Sequence, residues 1–191
     1  PPILTDSLLG ELAQRVLLDP AYRCLLPLTA GAGTDHLYSK IGLSRAFSAA
    51  GIPTPAWGVA RDAATALQQV AALGWPVLLK QDASAGGKGV WPCWNPAELA
   101  QAAARQSGQP FLLQRWLDGS LYSVEALYQH GLLRAFALSA VEACIRENGP
   151  SAQRRYGLPS DQIPELEVHL ERIGAALGLH GFTNISLIDR K

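Results

Sequence analysis

A short apolar run that ends in a lysine, followed by a glycine-rich loop, constrains the fold of this chain more than any other segment. Residues 77–79 read Val-Leu-Leu, Lys80 comes next, and residues 84–89 read Ser-Ala-Gly-Gly-Lys-Gly. Glycine permits positive φ angles and a close approach of the backbone to a ligand, and clustered amide groups bind anions. The pattern therefore predicts a buried strand that carries a lysine to a phosphate-binding loop. A tight surface hairpin with incidental lysines is the alternative, because glycine-rich turns are common.

The loop matches neither of the common phosphate-binding fingerprints. A P-loop requires Gly-x-x-x-x-Gly-Lys-Ser/Thr, but Asp82 stands at the position of the first glycine and Gly89 at that of the hydroxyl residue. A dinucleotide fingerprint requires Gly-x-Gly-x-x-Gly, and after Gly87 and Gly89 the last position is Pro92. The segment is therefore neither a P-loop nor a Rossmann element.

The composition is that of a chain able to bury a hydrophobic core. Of its 191 residues, 48% are hydrophobic and 17% are charged, which suits one domain or two small ones. The 16 Lys and Arg residues balance the 16 Asp and Glu residues, so charge does not favour a nucleic-acid or membrane-surface partner. The apolar runs are far shorter than the roughly 20 residues that span a bilayer, and no leader pattern is present, so we expect a cytoplasmic protein.

The cysteines and the chain ends carry two further expectations. Cys24, Cys93 and Cys144 are odd in number and widely spaced, which favours buried thiols in a reducing compartment over a disulfide framework or a zinc site. The chain begins Pro-Pro, contains no methionine and ends in residues 187–191, which resemble the tip of a hairpin. We therefore expect a piece of a longer polypeptide.

Hydrophobic periodicity and the positions of glycine and proline predict an α+β chain with several hairpins. Helices are expected at about residues 5–19, 35–50, 62–73, 96–106 and 164–177, and strands at about 57–60, 76–81, 91–94, 111–116, 121–128, 132–143 and 182–188. Residues 146–162 are polar and contain two prolines, which predicts a long loop of the kind that active sites recruit. This mixture indicates two α+β lobes that meet near residue 114.

Three segments, in this order and at this spacing, resemble the ATP-grasp superfamily of carboxylate–amine ligases. The first is Ser39-Lys40, followed by Gly-Ile-Pro-Thr-Pro at residues 51–55, which is similar to the family's Asp-Lys helix and its G-I-P-x-P segment. The second is the segment of residues 80–90. The third, residues 113–119, resembles the hinge that holds adenine between two lobes.

The resemblance implies an ATP-grasp fold, in which two α+β lobes enclose a nucleotide cleft. Residues 1–35 would be the tail of a preceding domain or a linker helix. Residues 36–113 would form the N-terminal lobe, and residues 114–191 a C-terminal lobe that is truncated at its end.

The resemblance also implies a set of nucleotide-binding residues. Lys40 and Lys80 would bind the α- and β-phosphates, and the glycine loop would close over the triphosphate, with Lys88 reaching it. Gln114 would lie at the adenine amino group, and apolar side chains such as Val77 and Leu79 would sandwich the base. The full implied set, with the backbone of Arg115 and Leu117 at the ring edge, is Lys40, Lys80, Ser84, Gly86, Gly87, Lys88, Gly89, Gln114, Arg115 and Leu117.

The chemistry implied by the family is the activation of a carboxylate by ATP, with Mg²⁺, as an acyl phosphate that an amine attacks. The sequence Gln-Arg-Trp-Leu-Asp-Gly at residues 114–119, followed by Tyr-Ser-Val at residues 122–124, resembles the corresponding segment of amino-acid and small-peptide ligases. A small carboxylate would then be the substrate, and a homo-oligomer is left open. The resemblance identifies no catalytic residue.

Two positions depart from the family pattern. Leu121 stands where a ribose-binding glutamate is usual, and Glu125, on the same strand face, lies roughly 13 Å further along. Ser186 stands where a magnesium-binding aspartate is expected, on one face with Asn184, while Asp189 points the other way or lies in a turn. A nucleotide-binding module without catalysis is therefore the second hypothesis, and an unrelated α+β binding domain is the third.

The predicted loop of residues 146–162 carries one more ambiguous signal. Arg154 and Arg155 are adjacent within it. They predict either a site for an anionic substrate or γ-phosphate, or a solvated basic stretch.

Overall fold

Two four-stranded antiparallel sheets organise the chain in a computed structural model that describes residues 6–84, 86–145 and 151–189. The helices are α1 (Asp6–Leu18), α2 (Lys40–Ala49), α3 (Ala63–Leu73), α4 (Pro96–Ala104) and α5 (Leu166–Leu177), with 3-10 turns at Pro20–Leu25, Asp35–Leu37 and Ser160–Gln162. The strands are β1 (Trp57–Ala60), β2 (Val77–Gln81), β3 (Val90–Cys93), β4 (Phe111–Arg115), β5 (Ser120–Gln129), β6 (Leu132–Cys144), β7 (Ser151–Leu158) and β8 (Gly181–Asp189).

The first sheet, in the order β1-β4-β2-β3, packs one face against α3 and α4. Val77 and Leu79 on β2 are fully buried in this core. The prediction that these two side chains sandwich the adenine base is therefore wrong, because strand alternation turns them toward the helices. The opposite face of β2 carries Leu78 and Lys80, which are only partly buried.

The second sheet, in the order β7-β6-β5-β8, packs against α5. Alternate residues of β5 are buried against this helix: Tyr122, Val124, Ala126 and Tyr128. The Tyr128 hydroxyl donates to the Leu170 carbonyl oxygen of α5 at 2.9 Å. A Cβ atom at Gly174 would lie 2.4 Å from Tyr128 Cε1, so only glycine lets the helix approach the sheet this closely. The opposite face of β5 is therefore free to carry polar residues.

Helix α2 begins later than predicted and packs against the second sheet. The 3-10 turn Asp35–Leu37 precedes it, and Ser39 caps it, with Oγ accepting the Gly42 N–H at 2.8 Å. A serine cap satisfies one of the free amides at a helix start, which fixes the new boundary. Leu43 and Phe47 pack into the hydrophobic cluster of the second sheet. The core of the second sheet thus includes a helix from the predicted N-terminal lobe.

The prediction of a loop over residues 146–162 is wrong for Ser151–Leu158, which form β7. This strand lies at the edge of the second sheet and pairs only with β6, so most of its side chains are exposed. An edge strand of this kind tolerates a polar sequence, which hid the strand from hydrophobic patterning. Residues 146–150 lie outside the described part of the chain.

The cysteines are only partly as predicted. Cys93 is buried, Cys144 is half-buried and Cys24 is exposed, and all three are free thiols. The expectation of a buried thiol is therefore wrong for Cys24. Within the described ranges, every helix is too short or too polar to cross a membrane.

Candidate nucleotide-binding site

Lys80 and Gln114 meet on the face of the first sheet that turns away from its core. Lys80 pairs with Leu112 and Gln114 with Leu78, so the two polar residues are diagonal neighbours across β2 and β4. Lys80 Nζ donates to Gln114 Oε1 at 2.5 Å. Burial, and then the nearby charge of Lys40, lower the pKa of Lys80 to about 8. An anionic ligand would stabilise the charged form of Lys80, because a nearby opposite charge favours the ammonium.

Lys40 reaches the start of the glycine loop. Its Nζ donates to the Ser84 carbonyl oxygen, to Ser84 Oγ at 2.9 Å and to the Asp82 carbonyl oxygen at 3.4 Å. The same ammonium is close enough to Lys80 to lower that residue's pKa. The fold therefore brings Lys40 to Lys80 and Ser84, although Lys40 comes from a separate segment of the chain.

The glycine loop joins β2 and β3 and has the backbone that its sequence predicts. Gly86, Gly87 and Gly89 have φ angles of 61°, 71° and 70°, a region that L-residues rarely adopt. The Gln81 N–H donates to the Gly89 carbonyl oxygen at 2.7 Å and closes the loop. Lys88 is exposed on it. The loop thus connects two antiparallel strands as a hairpin, which agrees with one part of the alternative interpretation. Lys80, however, is partly buried and lies near the Lys40 ammonium, so it is not an incidental surface lysine.

The predicted adenine hinge continues from β4. The Arg115 N–H donates to the Ala56 carbonyl oxygen at 2.8 Å, and its side chain is exposed. The Trp116 N–H donates to the Pro76 carbonyl oxygen at 3.1 Å. Leu117 is half-buried, and its amide has no hydrogen-bond partner among the described residues. Of the amides of Arg115, Trp116 and Leu117, the one at Leu117 is therefore available to a ligand.

A polar cluster lies on the face of the second sheet opposite α5. Asn184 Nδ2 donates to Ser123 Oγ at 2.8 Å and to Glu125 Oε1 at 3.1 Å. Arg154 Nη1 forms an ion pair with the same Glu125 oxygen. Ser186 pairs with Ser123, which confirms that Asn184 and Ser186 share a face. This cluster is made from three strands and was not predicted.

Both arginines of the predicted loop are neutralised by carboxylates. Arg154 contacts Glu125, and Arg155 Nε donates to Glu142 Oε1 at 3.0 Å. The two arginines therefore form neither the open anion site nor the freely solvated basic stretch that the sequence left as alternatives. The partners come from β5 and β6, so the sequence around the arginines did not reveal them.

The described residues fit a magnesium site poorly. They contain no cluster of three or more His, Cys, Asp or Glu side chains that could hold a metal. Glu125 is the carboxylate beside Asn184 on the polar face, and one of its oxygens already accepts from Asn184 and Arg154. Asp189 is aligned with the helix-facing residue Leu187 by strand alternation. Mg²⁺ sites normally include one or two carboxylates plus substrate phosphates, so these residues alone do not complete one.

Sequence reasoning missed Asp82 as part of the site and named Ser39 only as the neighbour of Lys40 in a motif. Ser39 Oγ donates to both Asp82 carboxylate oxygens at 2.9 Å, and the Ile41 N–H donates to one of them at 2.8 Å. In the sequence, Asp82 only marked a failure of the P-loop pattern. The only local signal was an aspartate two residues after Lys80. Its partners, Ser39 and Ile41, are more than 40 residues away in the sequence, so the signal could not be interpreted.

The chain is similar in sequence to known ATP-binding domains and ligases. Residues 40–119 match the family model of the carbamoyl-phosphate synthase L chain, ATP binding domain. The carbamoyl phosphate synthase large chain of Beutenbergia cavernae is 27% identical over 152 residues, which cover 72% of this chain and 14% of that protein. The D-alanine–D-alanine ligase of Marinobacter nauticus is 29% identical over 150 residues, which cover 74% of this chain and 46% of the ligase.

Solved structures share the fold of this chain. The biotin carboxylase domain of the Hydrogenobacter thermophilus 2-oxoglutarate carboxylase, solved with MgADP, ADP and bicarbonate, has a TM-score of 0.71 at 18% identity and covers 95% of this chain. The predicted α+β ATP-grasp fold is therefore confirmed. The chain spans 44% of that carboxylase structure and less than half of the two sequence relatives.

Proposed function

We propose that this chain is the ATP-binding core of a ligase that activates a carboxylate as an acyl phosphate for attack by an amine. The observation that carries the proposal is the convergence of Lys40, Lys80 and the glycine loop on one site. Two ammonium groups held close together are stabilised by a polyanion between them. The similarity to a D-alanine–D-alanine ligase and to a carboxylase domain solved with MgADP supports this chemistry.

In this proposal the site acts by neutralising charge and excluding water. Lys40 and Lys80 would contact the phosphates, and Lys40 would exchange its bonds to Ser84 for bonds to phosphate oxygens. Ser84, Gly86, Gly87, Lys88 and Gly89 would then close over the triphosphate, which protects an acyl phosphate from hydrolysis. Most of the rate enhancement would come from positioning and from electrostatic stabilisation.

The base would lie against the hinge. Gln114 and the backbone of Arg115 and Leu117 would contact its edge, and the free amide of Leu117 is the natural donor to a ring nitrogen. The partly buried Leu78, rather than its two neighbours on β2, is the apolar side chain that shares the Lys80 face.

The substrate is proposed to be a small carboxylate of the amino-acid or peptide type. Support comes from the D-alanine–D-alanine ligase relative and from the polar face of the second sheet, which carries Asn184 and Ser186. Mg²⁺ would be held mainly by the nucleotide phosphates, where it neutralises charge. The three free thiols suit a reducing cytoplasm, which we propose as the location.

A second function, nucleotide binding without catalysis, is favoured by one observation. Leu121 and Ser186 occupy the two positions where the family places acids, and Glu125 is engaged by Arg154. That function predicts ATP binding with little dependence on Mg²⁺. It also predicts no release of ADP by the full-length protein when carboxylates and amines are supplied. Measured turnover would reject it.

The binding proposal is tested by calorimetric titration of ATP against the wild type and Lys80→Ala. Loss of a charged contact to phosphate is expected to weaken affinity by about 10- to 100-fold, since hydrogen bonds to charged groups contribute about 1.5–3 kcal/mol. Arg61→Ala removes an exposed cation near the first sheet and serves as the matched control. Equal ATP affinity of Lys80→Ala and the wild type would reject the phosphate role.

A further inference from the structure

We propose that Asp82 is a positioning residue that holds Lys40 in the nucleotide site, because its carboxylate and carbonyl bind the three consecutive residues 39–41. The inference rests on the proposed ATP-binding function. Asp82 lies between β2 and the glycine loop, and its contacts with residues 39–41 position the start of α2 relative to the loop.

Ser39, Lys40 and Ile41 all donate hydrogen bonds to Asp82. The Ser39 hydroxyl donates to both carboxylate oxygens at 2.9 Å, and the Ile41 N–H donates to one of them at 2.8 Å. The Asp82 carbonyl oxygen accepts the Lys40 N–H at 3.2 Å and Lys40 Nζ at 3.4 Å. Lys40 is therefore flanked by two anchored neighbours, and its own backbone is anchored as well.

The contact joins two separately packed parts of the molecule. Asp82 directly follows β2, whose buried residues belong to the core of the first sheet. Lys40 is the first residue of α2, whose apolar residues Leu43 and Phe47 pack with the second sheet. The two lysines thus come from elements with different cores. Asp82 fixes the distance between those elements at the point where the phosphates are expected.

An aspartate suits this role better than a neutral residue. A carboxylate near the first turn of a helix interacts favourably with the helix dipole and with the free amides there. Hydrogen bonds to an ionised acceptor are about twice as strong as neutral ones. With α2 held in this way, the Lys40 ammonium reaches Ser84 and comes near enough to Lys80 to influence it.

A simple helix-capping role for Asp82 predicts different behaviour, and the chain provides the comparison. Asp62 caps α3, one of the two helices that pack on the first sheet, by accepting the Thr65 N–H at 2.7 Å. It therefore shares the capping function of Asp82 but not the contact with Lys40. Asp62→Ala is expected to lower stability and to leave nucleotide affinity unchanged.

The test is a double-mutant cycle with calorimetric titration of Mg²⁺ and the non-hydrolysable analogue AMP-PNP. Asp82→Ala is expected to weaken binding about tenfold, and to have less than about a twofold effect in a Lys40→Ala background, because the two residues would act as a unit. An equal loss in both backgrounds would overturn the proposal. Unchanged binding on Lys80→Ala would instead reject the proposed nucleotide site itself.

A reciprocal exchange keeps the test decisive when Asp82→Ala does not fold. Ser39→Asp combined with Asp82→Ser retains one carboxylate and one hydroxyl at the junction, and aspartate is a good helix cap. Wild-type affinity within about threefold is the expected rescue for a coupled pair. A folded double variant that binds as weakly as Lys40→Ala would overturn the positioning role.

Discussion

Lys80 Nζ donates a 2.5 Å hydrogen bond to Gln114 Oε1 across β2 and β4. The amide is a neutral partner, so it does not offset the burial and the Lys40 charge that lower the pKa of Lys80 to about 8. The residue proposed to bind phosphate therefore titrates close to physiological pH. This property can be measured.

ATP affinity is expected to fall as the pH rises through about 8, because the lowered pKa of Lys80 removes its charge above that value. Only the protonated lysine attracts phosphate, so affinity at about pH 9 should be about tenfold lower than at about pH 7. Calorimetric titration across this range checks the slope. Lys80→Arg stays charged throughout and should give a flat profile. The same slope in both proteins would contradict the assignment.

The substitution Gln114→Glu is expected to move that midpoint upward. A carboxylate beside the ammonium favours its charged form, so the pKa of Lys80 should rise above 8. The pH dependence of ATP affinity provides the measurement. Gln109→Glu adds the same charge at an exposed position just before β4 and should leave the midpoint in place. An unchanged midpoint in Gln114→Glu would show that the hydrogen bond does not control Lys80.

Gly89→Ala is expected to destabilise the protein more than Gly86→Ala. Both glycines have positive φ angles, which cost an L-residue about 1–2 kcal/mol. A Cβ atom at Gly89 would also lie 2.8 Å from Gln81 Cβ, whereas at Gly86 it would meet no atom within 4 Å. Urea denaturation should show an additional loss of at least about 1 kcal/mol for Gly89→Ala. Equal losses would contradict the close packing of the loop against β2.

Arg154→Ala is expected to destabilise the second sheet without changing ATP affinity. The Arg154 side chain is 24% exposed and neutralises Glu125, which has one buried oxygen that lacks a partner among the described residues. Its loss should lower the free energy of unfolding by about 1 kcal/mol, because it leaves the partly buried Glu125 carboxylate without its cationic partner. Arg155 is 58% exposed in its pair with Glu142, so Arg155→Ala should cost less than about 0.5 kcal/mol. Equal losses in denaturation experiments would contradict this difference.

Much of the first sheet could be predicted from local signals. Helix α3 lies between the cap residue Asp62 and Gly74, whose φ angle of 77° ends it, and both signals are visible in the sequence. Strand β2 follows directly as an apolar run. The positive φ angles of the glycine loop also followed from composition alone.

Predictions failed where the deciding contact came from another element. Ser151–Leu158 has a polar sequence, and only its pairing with β6 makes it a strand. The core-facing side of Val77 and Leu79 depends on where α3 and α4 pack, which an apolar run does not reveal. Arg154 and Glu125 are 29 residues apart, and their ion pair exists only because β5, β6 and β7 are neighbours.

The sequence by itself determined the elements of this site: a strand that ends in Lys80, a loop that requires glycine, and a helix that carries Lys40. The tertiary structure alone decided how they meet. Asp82 lies 43 residues from Ser39, and their contact joins a strand of one core to a helix of another. Short-range patterns report backbone preference and burial, whereas the distance between two lysines depends on how two separate cores pack, and only the folded chain contains that information.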